Sequence, residues 1–306
     1  MTAAARSVPQ PYPKPFRWQL PYRPPFDWQG VLRFLGARML RGVEWVRDAE
    51  YLRTVRIDSH AGWIRVTHAP AQRAVVVELS RSLGPVLPAI LSRLTHLFDL
   101  RAKPNLIAGQ LMRGTLAEAV ARNPGLRLPG AFDGFELAVH AILGPQVRLK
   151  AATMQAGRLA DALGDSVETI HPGLARLSPT AERVAEARIE TLTSAGIPGP
   201  RAETIIALAV AVRTGRISLE VGADPAATVD RLLGIPGIGR WTADYIAMRA
   251  LGWPDAFPHG DVALRNSLGG VTATRAEELA EAWRPWRSYA AMHLWQDWAW
   301  NRSRRA

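Results

Sequence analysis

Two glycines set one residue apart between helical segments constrain this chain more than any other feature. They lie in Ile235-Pro236-Gly237-Ile238-Gly239. Upstream, Asp224-Pro225 supplies an N-cap and a first-turn proline, so a helix is predicted from there to near Gly234. Downstream, a second helix is predicted over Arg240–Leu251. The glycines permit a tight turn and leave backbone N–H groups uncovered beside the positive end of the second helix. That arrangement stabilises an anion, with a nucleic-acid phosphate as its natural occupant. Such a contact positions a protein without reading sequence. A simple C-cap between two packed helices accounts for the same turn, so both readings stand at this point.

The chain before the hairpin changes character once. Trp28 to Val46 carries apolar residues at near-helical spacing and is predicted as helix. Leu52–Ile57, Trp63–His68 and Arg73–Leu79 are short β-branched runs separated by turn residues and predict an antiparallel meander. Val86–Leu100 returns to helix. From about Asn105 onward only helices are predicted: Phe132–Leu143, Leu149–Leu163, Pro179–Ala195, Pro200–Thr214, Thr228–Leu233, Arg240–Leu251, Val262–Leu268 and Arg275–Trp300. The fold class is therefore α+β, a small antiparallel-sheet lobe followed by a large all-α bundle.

Composition narrows the partner. Thirty-eight Lys and Arg against 27 Asp and Glu give a net charge of +11, which favours a polyanion such as DNA or RNA, or an acidic membrane surface. No apolar run reaches the roughly 18–20 residues of a membrane span. The N-terminal MTAAARSVPQPYPKPF lacks the apolar core of a secretory signal and reads as a proline-rich lead. Cysteine is absent, which excludes disulfides, thiolate zinc or iron–sulfur sites and a thiol nucleophile. A cytoplasmic protein is expected.

One carboxylate stands at a fixed reach from the hairpin. Asp261 lies 22 residues beyond Gly239, where Gly260-Asp261 precedes an apolar run and reads as an N-cap. The positive end of that helix favours a charged carboxylate. Asp244, Asp255 and Asp297 are weaker candidates: the first reads as a solvated or capping position inside its helix, the second as an Asx-type turn residue. Eleven tryptophans are present, seven of them from Trp241 onward. Trp241 and Tyr245 share one helix face at i, i+4, and core packing is an alternative for any single one of these rings.

The string Leu-x-x-Pro-Gly-Ile-Gly-Arg-Trp-Thr-Ala, followed by Phe-Pro-x-Gly-Asp, resembles the helix-hairpin-helix DNA glycosylase superfamily, and within it the AlkA-type DNA-3-methyladenine glycosylases II. PFDWQGVLRFLGAR, RLTHLFDL, NPGLRLPGAFDGFELAVHAILGPQV and WRPWRSYAAMHLW extend the resemblance over nearly the whole chain. Counting the proline-rich lead, the chain is expected to have four parts. They are a flexible lead (1–15), an N-terminal α+β domain (16–104), a helical domain carrying the hairpin (134–253), and a second helical domain (105–133 with 254–306) across a cleft.

The resemblance also implies roles. Asp261 is the catalytic carboxylate, stabilising positive charge on the sugar or deprotonating water as an N-glycosidic bond breaks. A cationic alkylpurine departs with little acid assistance. Phe34, Trp241, Tyr245 and Trp295 fall at base-pocket positions, where a flipped base is held between aromatic faces. Trp283, Trp286, Trp298 and Trp300 read as core or rim. Gly237, Ile238, Gly239 and Arg240 would meet DNA, joined by Gln146 as wedge and by Arg148 and Lys150. The wedge loop Gly144-Pro145-Gln146-Val147 departs from the Gly-Gln of many relatives. Bifunctional members place an amine nucleophile where this chain has Trp241, so a monofunctional enzyme leaving an abasic strand is expected. No cofactor and no catalytic metal are implied; a monovalent cation could sit at the hairpin carbonyls of Ile235 and Ile238. The expected partner is double-stranded DNA containing alkylated bases, with no membrane, and the protein is expected to be a monomer. Two other readings share the hairpin: a non-catalytic helix-hairpin-helix DNA-binding module and a bifunctional glycosylase/lyase.

Overall fold

The computed structural model describes residues 14–113, 115–145 and 147–303, without the side chains of 300–303. Most of the proline-rich lead, Gln146 and the Trp300 side chain lie outside the described residues.

Five strands form one antiparallel sheet in the order β1-β5-β4-β3-β2. They are β1 (Phe16–Pro21), β2 (Glu44–Arg47), β3 (Glu50–Ile57), β4 (His60–Ala69) and β5 (Ala74–Leu79). Helices α1 (Trp28–Gly36) and α2 (Leu87–Leu97) belong to the same lobe. The alternation of β5 sends Val75, Val77 and Leu79 into a core shared with Trp28, Leu32, Ile90 and Leu94. Asp27 caps α1 by accepting from Gly30 N at 2.8 Å.

The sheet is larger than the sequence suggests. The helix expected over Trp28 to Val46 ends at Gly36, and Glu44–Arg47 is a strand instead. The cause is a two-residue turn in which Asp48 and Ala49 both take positive φ, folding Val46 back onto Tyr51. Strand β1 was hidden because its residues are almost all exposed; it exists through long-range pairing to β5, with Trp18 opposite Val77.

The bundle comprises α3 (Pro104–Leu111), α4 (Ala117–Arg122), α5 (Gly134–Leu143), α6 (Leu149–Leu163), α7 (Ala181–Ala185) and α8 (Ile189–Ser194). It continues with α9 (Gly199–Arg213), α10 (Pro225–Leu233), α11 (Arg240–Arg249), α12 (Val262–Ser267), α13 (Ala273–Ala280) and α14 (Arg287–Ser303). Two expected helices are broken. Pro179–Ala195 divides into α7 and α8, because Arg188 is extended (φ −73°, ψ 146°) and caps α8. Arg275–Trp300 divides at Arg284-Pro285, since Pro285 has no N–H to continue α13. Helices α3 and α4 escaped the sequence reading.

Helix α11 packs against α5 and α10, while α14 packs against α4 and α12. The lobes are joined by buried polar contacts. Arg53 of β3 bonds Glu136 of α5 at 2.8 Å. Arg249, only 3% exposed, donates to the carbonyls of Pro129 and Gly130 at 2.7 and 2.8 Å. Phe34 packs against both hydrophobic cores.

Candidate active site

The hairpin between α10 and α11 is built around Gly237. Its φ is +90°, and a Cβ there would lie 2.1 Å from Thr204 Oγ1. No other residue type fits both conditions. The Thr204 hydroxyl sits 2.9 Å from the carbonyl of Pro236 and pins the turn to α9. Gly239 caps α11 in an extended conformation, and a Cβ built on it would meet nothing within 4 Å. Gly237, Gly239 and Arg240 are exposed, whereas Ile235 and Ile238 are buried. The first-turn N–H groups of α11 have no intrahelical acceptor and open beside exposed backbone.

Asp261 caps α12. Its Oδ1 accepts from Leu264 N at 3.0 Å and from the Trp295 indole N–H at 3.0 Å; its Oδ2 accepts from the Trp241 indole N–H at 2.9 Å. Three donors from α11, α12 and α14 therefore fix one half-buried carboxylate. The ring of Trp241 stacks on Tyr245 with centroids 5.3 Å apart and planes 9° apart. Trp295 approaches Tyr245 at 6.1 Å. A Cβ added to Gly144 would lie 3.8 Å from Trp241 Cη2, so the loop before Gln146 borders the same ring. Arg201 holds that loop by donating to Leu143 O at 3.1 Å and to Pro145 O.

Tyr245 is itself held from behind. Arg249, one turn further along α11, donates to its hydroxyl at 2.8 Å. Burial raises the phenol, but the charges of Arg249 and Arg38 outweigh it and hold Tyr245 below the ordinary phenol value. Burial and these two guanidiniums together push His140 down to about 4. The Arg249 guanidinium also lies 4.7 Å from the Phe34 ring centroid, and that of Arg38 lies 3.8 Å from it.

The structure thus brings Asp261, Trp241, Tyr245 and Trp295 together, with Phe34 joined to them through Arg249. The other carboxylates have other work. Asp244 is neither solvated nor a cap: it is 1% exposed and receives Arg240 Nε at 2.9 Å. Asp255 is buried rather than a plain turn residue, accepting from Arg287 at 2.8 and 3.0 Å. Asp297 pairs with Arg122. Arg240 is accordingly tethered through Nε, although its side chain stays 55% exposed. Arg148 and Lys150 are exposed at the start of α6. Trp283 is buried and Trp298 half-buried. The sequence reading missed Arg38, Arg201, Thr204 and Arg249. Of these, Arg249 and Arg38 had a signal, their i+4 spacing from Tyr245 and from Phe34. Among the described residues, no group of His, Asp and Glu could hold a metal ion, and no helix is long and apolar enough to cross a membrane.

Residues 17–133 match the AlkA N-terminal domain family. Over 283 residues, 92% of the chain, it is 35% identical to DNA-3-methyladenine glycosylase 2 of Escherichia coli (strain K12), of which it covers 98%. The chain belongs to the AlkA family of DNA glycosylases. As a member of that family it is a hydrolase of N-glycosyl bonds in base excision repair. The AlkA-family chain is also 39% identical over 282 residues to a probable bifunctional transcriptional activator/DNA repair enzyme AlkA of Mycobacterium tuberculosis (strain ATCC 25618 / H37Rv). That match takes in 90% of the chain and 56% of the mycobacterial protein. Its fold matches the 3-methyladenine DNA-glycosylase from Archaeoglobus fulgidus with a TM-score of 0.79 at 22% identity, covering 92% of this chain and 98% of the other. In this AlkA-family fold the matched N-terminal region ends just before Gly134, where α5 begins.

Proposed function

We propose that this glycosylase is monofunctional and removes alkylated purines of the 3-methyladenine and 7-methylguanine type, flipped out of duplex DNA, leaving an abasic site. The observation that carries this reading is the carboxylate of Asp261 held by the indoles of Trp241 and Trp295. As the N-glycosidic bond lengthens, positive charge develops on C1′ and the ring oxygen of the sugar. A carboxylate fixed on both oxygens stabilises that charge without reorganising. The same indoles that hold it offer π faces to a cationic base. Position 241 carries an indole already committed to Asp261, so no amine stands there to form a Schiff base.

The hairpin supplies the second half of the reading. Exposed backbone at Gly237 and Gly239 with the N-terminus of α11 suits a DNA phosphate, and Arg240, Arg148 and Lys150 suit its neighbours. Gln146, in the loop that borders Trp241, is assigned the gap left by the flipped base. The Ile235 and Ile238 carbonyls are assigned a monovalent cation when DNA is bound. The protein acts as a monomer in the cytoplasm.

The test is incubation with methylated duplex DNA and chromatography of the released bases, with Asp261→Asn alongside. Base release by the wild type and none by a variant that still binds DNA is expected. Equal base release by the two proteins would remove Asp261 from the catalytic role, and release by neither would leave the hairpin as a binding module only. A covalent adduct trapped by borohydride would overturn the monofunctional assignment.

A further inference from the structure

The first turns of α9 hold two loops at once. Arg201 reaches the loop after α5, where one terminal nitrogen donates to Leu143 O at 3.1 Å and the other to Pro145 O. Thr204 follows three residues later, on the same face of the helix. Its buried hydroxyl lies 2.9 Å from Pro236 O, directly against Gly237 of the hairpin. One stiff stretch of helix therefore sets the separation between the phosphate hairpin and the loop that borders Trp241. That loop depends on the hold. Leu143 ends α5, so its carbonyl has no partner within the helix. Gly144 O accepts from Val147 N at 3.4 Å, which closes the turn on itself. Pro145 has no N–H and is tied down through its carbonyl. Arg201 thus grips the carbonyls on either side of Gly144, the residue whose Cβ would stand 3.8 Å from Trp241 Cη2. Among the described residues these two carbonyls are the only hydrogen-bond partners of the Arg201 side chain, and no carboxylate pairs with it.

We infer that Arg201 is a positioning residue for base flipping: it braces the loop between α5 and α6 against the helix that also carries the hairpin, so that phosphate binding drives opening of the stack beside Trp241. This rests on the glycosylase reading above. Extruding a base costs a few kcal/mol of stacking and pairing. A loop that enters the duplex meets that resistance, and it opposes it only if it cannot yield. The brace must lead back to the part of the protein that the phosphates hold, and α9 is that path. Without Arg201 the loop gives way, while the hairpin still seats its phosphate through Thr204 and Gly237. Asp261 and its indole donors lie on α11, α12 and α14 and are untouched. The loss therefore falls on opening of the pair, and neither on binding to DNA nor on bond breaking.

The experiment reads flipping directly. Full-length protein at saturating concentration is added to a duplex carrying 2′-fluoro-7-methylguanine beside the fluorescent base 2-aminopurine. The fluorine disfavours positive charge at C1′ and keeps the glycosidic bond intact, and the fluorescence rises as the neighbouring base leaves the stack. Wild type is compared with Arg201→Met, which removes both donors, and with Arg201→Lys, which keeps the charge but lacks the fork that spans two carbonyls. The ratio of flipped to stacked duplex is expected to fall about tenfold in Arg201→Met and by less in Arg201→Lys, with single-turnover release of 7-methylguanine slowed in parallel. Affinity for undamaged duplex is expected to stay within about threefold of wild type; a loss of about tenfold makes Arg201 a phosphate contact and overturns the inference. Circular dichroism verifies that each variant is folded; if Arg201→Met is not, the Lys variant decides on the same ratio. Unchanged flipping in a folded variant, whether or not base release slows, overturns the inference alone. No fluorescence rise with the wild type also overturns it, and absence of base release by the wild type as well overturns the glycosylase reading with it.

Discussion

Two aspartates, Asp261 and Asp99, are tied to the same helix and serve opposite ends. Asp261 accepts from the Trp295 indole of α14, from Trp241 and from Leu264 N. Asp99, after α2, accepts from the Tyr289 hydroxyl of α14 at 2.8 Å and from Leu128 N at 3.1 Å. Each thus combines an aromatic donor from α14 with one backbone N–H. They differ in how the donors are spread and in what surrounds them. Asp261 has donors on both oxygens, and its holders are also the walls of the candidate pocket. Asp99 has both donors on Oδ2, and dehydration pushes its pKa up to about 6 despite those bonds and the charge of Arg127. One niche holds a carboxylate by both oxygens beside the candidate pocket. The other is a joint between the sheet lobe and the C-terminal helix, and it holds its charge at a cost.

The largest effect should come from Asp261→Asn. An amide cannot accept from both indoles, because one would face its NH₂ group. Loss of at least about 100-fold in single-turnover base release is expected, with DNA affinity within a few-fold of wild type. A loss under threefold would place Asp261 beside Asp99 as a structural cap.

Paired substitutions on α14 come next. Trp295→Phe keeps a ring but removes one donor to Asp261, and about a tenfold lower rate is expected from the same assay. Tyr289→Phe removes the donor to Asp99 and should cost about 1 kcal/mol of stability in urea with the rate unchanged. If Tyr289→Phe slows catalysis as much as Trp295→Phe, the two carboxylate sites along α14 are not separable.

The smallest effect is a pH dependence. The folded pKa of Asp99 is raised, so folding favours its protonated form. That contribution is complete below about 4, the ordinary carboxylate value, and is lost as pH rises through about 6. Asp99→Asn preserves an acceptor for Leu128 and Tyr289 without a charge. Its stability relative to wild type should therefore grow from pH 4 to pH 8. Denaturation curves at the two pH values measure this. A difference that shrinks with rising pH would contradict the assigned direction.

Local signals in the sequence carried the parts of the site that depend on neighbours in the chain. Gly237 needs positive φ, Asp224 and Asp261 are caps, and Trp241 and Tyr245 are one turn apart. All of this is written within a few residues and survives in the structure. What distant segments create was not legible. Strand β1 has no buried face of its own, and β2 depends on a turn at Asp48-Ala49 that resembles the continuation of a polar helix end. The indole bonds to Asp261 cross 20 and 34 residues. Arg38 and Arg249 meet over Phe34 across more than 200 residues, and no pattern in either segment announces the other. Asp244 and Asp255 show the same limit from the opposite side: their arginine partners, not their local turns, determine what they do.

Helix α11 begins at exposed hairpin backbone and ends at Arg249, sealed between the lobes. Ten residues at about 1.5 Å each make it a stiff gauge of about 15 Å. Trp241, Tyr245 and Arg249 are graduations along one edge. An anion seated at the mouth would be registered at a set depth from the carboxylate. Shortening this gauge by one residue would turn its edge by about 100° and point the graduations elsewhere, even with every contact at the mouth intact.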